Sequence, residues 1–218
     1  MVAQVAQPVL VSLDNEPGRQ LDVFRKMMRF TSFVTFPLLF GFGLVAPEFI
    51  ELALGAKWLP SAELIQILCV SGAAMPLATL FSNMIISKGR SGTFFWCTFS
   101  LGVVQIGLML VLYPLGIQMM VIAYMLLNTS WLAVWLFFVR RLTGYGYLMF
   151  LRDVLPFAIA ATGVMWVAYM LTRHIESLWA LLGTRVLIAA VLYYVVMKVA
   201  RVKILGECER FVRGKLKR

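Results

Sequence analysis

Charge is scarce in this chain, and negative charge scarcest. Only 14% of its 218 residues are Asp, Glu, Lys or Arg, with 10 acidic against 20 basic, where soluble domains carry about 25%. The rest is too apolar to hide in a water-soluble fold of this size: 61% of residues are hydrophobic and the mean hydropathy is +0.88. Lipid has to be the solvent. Histidine occurs once, as His174 in a polar break between apolar runs, and a lone loop histidine points to solvent rather than to catalysis. Cys69, Cys97 and Cys208 show no CxxC spacing, which excludes a disulfide framework and a zinc site. Cys69 and Cys97 lie inside apolar runs and are expected to pack as small hydrophobes. There is no P-loop, no nucleophile beside a histidine and no carboxylate cluster within an apolar run. Neither an enzyme nor a bound cofactor is therefore expected. No basic leader precedes an apolar stretch at the start, so a cleavable signal peptide is not expected. The apolar stub 2–13 is too short to span a bilayer.

What is present is a series of long apolar runs. A span needs about 20 mostly apolar residues, and six runs qualify, at 30–50, 62–87, 93–113, 117–139, 154–172 and 179–200. Turn chemistry separates them: Leu59-Pro60-Ser61, Lys88-Gly89-Arg90-Ser91-Gly92, Tyr113-Pro114-Leu115-Gly116 and Gly144-Tyr145-Gly146-Tyr147. The fold class is all-α, a polytopic membrane bundle of about six transmembrane helices. Residues 1–29 read as a cytoplasmic loop and amphipathic segment, 30–200 as the bundle and 201–218 as a basic cytoplasmic tail resting on anionic headgroups. In the first of these, Asn15 is the expected N-cap, Pro17 fits a first helical turn, and Leu21, Phe24 and Met28 share one face.

The basic residues alternate between the two sides. All but Lys57, Arg173 and Arg185 of the 20 fall in one set of loops and termini. That excess marks the cytoplasmic side and places both ends there. It also argues against nucleic acid, because the basic residues sit between spans rather than in one patch. Trp58, Tyr113, Tyr169 and Trp179 fall at outer ends, and Phe94, Phe95, Trp96, Tyr145 and Tyr147 at inner ends, as in an aromatic belt. Trp131, Trp135 and Trp166 are expected between helices.

Several residues within or beside the spans invite a functional reading. Arg185 lies about 9 Å into the sixth run at 1.5 Å per residue; it is expected to snorkel outward, with a cavity-facing contact to a sugar or diphosphate as the alternative. Lys88 and Arg90 fit topology determinants, or contacts to lipid phosphates. Asn83, Gln105 and Asn128 suit inter-helix hydrogen bonds, or sugar contacts. Glu48, Glu51 and Glu63 look like a solvated outer rim. Pro76, after Gly72-Ala73-Ala74, suits close packing or a kink.

The run Ala46-Pro47-Glu48-Phe49-Ile50-Glu51-Leu52-Ala53-Leu54-Gly55-Ala56-Lys57-Trp58-Leu59-Pro60 carries a family resemblance. With it go Pro37-Leu38-Leu39-Phe40-Gly41, Leu64-Ile65-Gln66-Ile67-Leu68 and Lys88-Gly89-Arg90. Together they resemble the Wzx-type O-antigen and exopolysaccharide flippases of the multidrug/oligosaccharidyl-lipid/polysaccharide exporter superfamily. The resemblance implies a bundle like one half of a MATE-like transporter, here the C-terminal half, working by alternating access in the bacterial inner membrane. It implies as substrate an undecaprenyl-diphosphate-linked oligosaccharide, and as partners membrane lipids and a second six-helix bundle, from a missing N-terminal half or a second copy. A drug/cation antiporter of the same superfamily and a non-transporting subunit of a polysaccharide assembly complex are the alternatives.

Overall fold

In the computed structural model, which describes residues 2–175 and 177–199, the described residues are helical apart from short turns between the helices. A short helix α1 (Val2–Ser12) precedes α2 (Pro17–Leu54), α3 (Pro60–Ser87), α4 (Ser91–Leu112), α5 (Ile117–Thr143), α6 (Tyr147–Thr172) and α7 (Leu178–Val199). The last six are each long and apolar enough to cross a membrane, as the hydropathy pattern requires. Cys208 and the basic tail 201–218 lie outside the described residues.

Differences from the sequence reading sit at the helix ends. Pro17 opens α2 with Glu16, not Asn15, at the N-cap. Since Pro17 lacks an N–H that the first turn would leave unpaired anyway, it suits the first helical position. From there α2 runs unbroken through 38 residues, so the expected short helix and the first span are one element. At 1.5 Å per residue that is about 57 Å, nearly twice the hydrocarbon thickness of about 30 Å. The turns following Pro17 therefore extend past the apolar run that starts at Phe30. Helices α5 and α6 likewise outrun their apolar runs, meeting at Gly144, whose positive φ of 75° ends α5 in the left-handed conformation.

α2 and α3 form the centre. α2 packs against α3, α6 and α7; α3 packs against α2, α5, α1 and α4. Where lipid tails are as apolar as leucine, helices hold together by close van der Waals packing of small residues rather than by the hydrophobic effect. The α2–α3 seam shows this. A Cβ placed on Gly43 would lie 3.5 Å from Cys69 Cβ, and one on Gly72 only 3.3 Å from Leu39 Cδ1. Gln66 Nε2 donates across the same seam to Gly43 O at 3.0 Å. Cys69 and Cys97 are buried and unpaired, consistent with packing as small hydrophobes. Phe24 and Met28 are fully buried with Leu21 beside them, as the shared face anticipates.

Two aromatic assignments are corrected. Tyr145 is wholly buried rather than at a headgroup belt, because the Gly144 turn folds it back into the bundle. Trp166 is 63% exposed and packs outward from α6, whereas Trp135 is buried between helices as expected.

Candidate functional site

Two buried charge clusters tie α6 to α2, one at each end of the bundle. The first is built by helical periodicity. Arg25 and Arg29 are four residues apart, hence on one face of α2, and that face meets the start of α6. There Asp153 is completely buried. Arg25 donates through Nε to Asp153 Oδ2 at 2.9 Å and through Nη2 to Oδ1 at 3.2 Å, while Arg29 Nε donates to Oδ1 at 2.6 Å. The Tyr145 hydroxyl donates to Oδ2 at 3.2 Å. Its ring stands edge-on to Phe24 with centroids 5.3 Å apart, and lies 6.4 Å from that of Phe81. Burial first, and the Asp153 carboxylate second, push the Tyr145 hydroxyl above its ordinary pKa range. It stays a donor at every physiological pH.

The second cluster lies at the opposite end, where α2 and α6 finish and α7 begins. Arg185 Nη1 is hydrogen-bonded to Glu48 Oε1. Its Nε donates to Thr172 Oγ1 at 2.9 Å, and that hydroxyl in turn donates to Ala168 O at 2.8 Å. The guanidinium also lies over the Tyr169 ring, 5.2 Å from its centroid. Glu48 Oε2 is buried with no hydrogen-bond partner among the described residues. Arg185 does not snorkel: it is 5% exposed. Nor is Glu48 part of a solvated rim, being 8% exposed. Each replaces the other's water. A charge withdrawn from water needs such a partner, and α2 and α7 supply one each. Beside the pair, Arg185, Ala189 and Tyr193 of α7 and Pro37 and Gly41 of α2 line a groove of about 460 Å³ that is otherwise apolar.

The sequence-nominated residues do not converge on one site. Lys88, at the end of α3, pairs with Asp14 at 2.7 Å. Neighbouring Arg90 is exposed, and Asn83 is buried one helical turn before Lys88. Gln105 is half-buried on α4, and Asn128 is half-buried on α5 with Nδ2 donating to Tyr124 O at 2.9 Å. Arg185 stands at the other end of the bundle. His174 is exposed and accepts from Arg173 Nε at 3.1 Å.

Asp153, Arg25, Arg29 and Tyr145 escaped the sequence reading as a group, and Glu48 was misplaced. A signal existed: Asp153 is an acid at the lip of an apolar run, in a linker otherwise basic, and Arg25 and Arg29 have i, i+4 spacing.

Residues 1–63 match the family described as polysaccharide biosynthesis protein. Parts of the chain are similar to membrane and polysaccharide-biosynthesis proteins. It is 28% identical over 145 residues to the teichuronic acid biosynthesis protein TuaB of Bacillus subtilis, covering 66% of this chain and 28% of the relative. It is 28% identical over 90 residues to an uncharacterised membrane protein of the cps region of Klebsiella pneumoniae, covering 41% and 19%. To the lipopolysaccharide biosynthesis protein WzxC of Escherichia coli it is 23% identical over 90 residues, covering 41% and 18%. The matched part thus spans under a third of the length of each of these relatives. No solved structure matches the chain. Six spans and membrane-protein relatives together make it a multi-pass membrane protein. The family match covers α1, α2 and the start of α3, and so includes Arg25, Arg29 and Glu48, the α2 members of both charge clusters.

Proposed function

We propose that this bundle belongs to a system that moves a lipid-linked oligosaccharide, carried on undecaprenyl diphosphate, across the bacterial inner membrane for lipopolysaccharide or exopolysaccharide synthesis. The observation that carries the reading is the family match over the segment that contributes to both buried charge clusters. In this reading the bundle rocks against a second bundle, so that a cavity between them opens to each side in turn. Staples at both ends of α2 and α6 suit that role. They hold α2, α6 and α7 as one unit, so that motion falls at the junction with the partner bundle rather than within this one. The sugar and diphosphate would cross in that cavity while the prenyl chain stays in lipid. Both termini lie in the cytoplasm in this reading, on the side of Arg25, Arg29 and Lys88.

An antiporter would want a buried carboxylate free to take up and release an ion. Glu48 and Asp153 are each already paired with arginine, which favours the flippase reading over that alternative. Deleting the gene in its native host tests the proposal. Lipid-linked oligosaccharide should accumulate in the cytoplasmic leaflet while its synthesis continues. Loss of synthesis itself would instead support the assembly-subunit alternative, and normal export would sink the transport reading.

A further inference from the structure

The cluster at Asp153 is unbalanced. Two guanidinium groups share one carboxylate, Tyr145 contributes only a neutral hydroxyl, and Asp22, exposed on the same helix, attracts Arg25 without closing an ion pair with either arginine. Arginine cannot shed its proton at any relevant pH. Among the described residues, Asp153 is the one carboxylate that either guanidinium contacts in an ion pair.

The free donors are placed as well as counted. Arg25 engages Asp153 through Nε and Nη2 and keeps Nη1; Arg29 engages it through Nε alone and keeps both Nη1 and Nη2. The Arg29 side chain is 38% exposed and that of Arg25 27%. The open edge of Arg29, Nη1 with Nη2, is a pair of parallel donors of the kind that takes two oxygens of one phosphate. Its orientation is already fixed by the Nε contact, so less side-chain freedom is lost when an anion binds. Depth fits too. Arg29 is the last basic residue before the apolar run of α2, which puts it at the level of headgroup phosphates. Lys88, by contrast, already has Asp14 as its counter-ion.

We propose that Arg29, oriented by Asp153 and supported by Arg25, binds a phosphate group carried by a membrane lipid at this end of the bundle. The phosphate could belong to a bulk phospholipid headgroup or to the diphosphate of a polyprenyl carrier. Only the second source rests on the transport reading above.

Native mass spectrometry of the full chain released from detergent micelles, with phosphatidylglycerol or undecaprenyl diphosphate added, separates the sources. Arg29→Gln should weaken retention of the bound lipid by about tenfold, the scale of one charge-assisted bond, while Lys26→Gln, an exposed neighbour on α2, leaves it unchanged. Arg29→Lys should fall between, because an ammonium keeps the charge but not the fork. Loss confined to phosphatidylglycerol identifies a headgroup site, loss confined to undecaprenyl diphosphate a carrier site, and loss of both a general phosphate site. Equal retention by wild type and Arg29→Gln, or equal loss in Arg29→Gln and Lys26→Gln, overturns the proposal. Should Arg29→Gln fail to fold, Arg29→Lys against wild type carries the same test, and undiminished retention overturns it. The host-deletion phenotype is independent of this binding readout, so either idea can fail alone.

Discussion

Glu48 and Arg185 show what a buried ion pair demands of its surroundings. Each charge is tolerated because the other is present, and removing one leaves the survivor stranded away from water. Glu48→Gln or Arg185→Gln should therefore cost about 3–5 kcal/mol of stability, the range for breaking a buried pair. Replacing both at once, by Glu48→Gln with Arg185→Gln, should cost much less than the sum of the singles. Thermal melts of the four proteins in detergent give the coupling directly, and simple additivity would refute it. Tyr145 offers a pH-dependent counterpart. Its hydroxyl has a raised pKa in the folded chain, so above about pH 10 the unfolded chain gains by ionising and the folded one does not. Stability should fall as pH rises through that point. Tyr145→Phe should shrink the alkaline loss while costing about 1.5–3 kcal/mol near neutrality, as a hydrogen bond to a charged group. A melting temperature with the same alkaline slope in both proteins would count against this account.

Among the helices, α2 and α3 depend on the absence of side chains. With Leu39 Cδ1 only 3.3 Å from where a Gly72 Cβ would stand, Gly72→Leu must push the helices apart or force Leu39 off its rotamer. Overpacking of this kind costs about 1–3 kcal/mol. Gly102→Leu on α4, where a Cβ meets nothing within 4 Å, serves as the matched control and should leave the melting temperature near wild type. Equal effects at the two sites would mean that the seam is looser than its geometry. Pattern reading located these helices well because length and hydropathy are properties of contiguous residues. Their ends were less legible. The unbroken passage from Pro17 into the apolar run, and the extension of α6 back to Tyr147, depend on partners from other helices: Phe24 packs on Phe81 and Tyr145, and Asp153 receives Arg25 and Arg29.

For the molecule in its membrane, the charge asymmetry makes a topological prediction. Single cysteines placed at Arg90 or Gly144, in a chain otherwise free of cysteine, should react with an impermeant maleimide only from the cytoplasmic side. Cysteines at Trp58 or Gly116 should react only from the other side. Labelling of both sets from one side would refute the six-span topology. Mixed labelling within a set would mean that one of the helices does not cross.

From the sequence alone followed the solvent, the number of spans and the alternation of basic loops, since each depends on local composition and on the cost of leaving backbone or charge in hydrocarbon. The family resemblance was legible too, in short runs between Pro37 and Arg90, above all Ala46 to Pro60. Only the tertiary structure decided the fate of individual charges. Glu48 and Arg185 are 137 positions apart, and Arg29 and Asp153 are 124 apart. Whether such a residue faces water, lipid or a counter-ion depends on which helix faces are pressed together, and no local pattern encodes that.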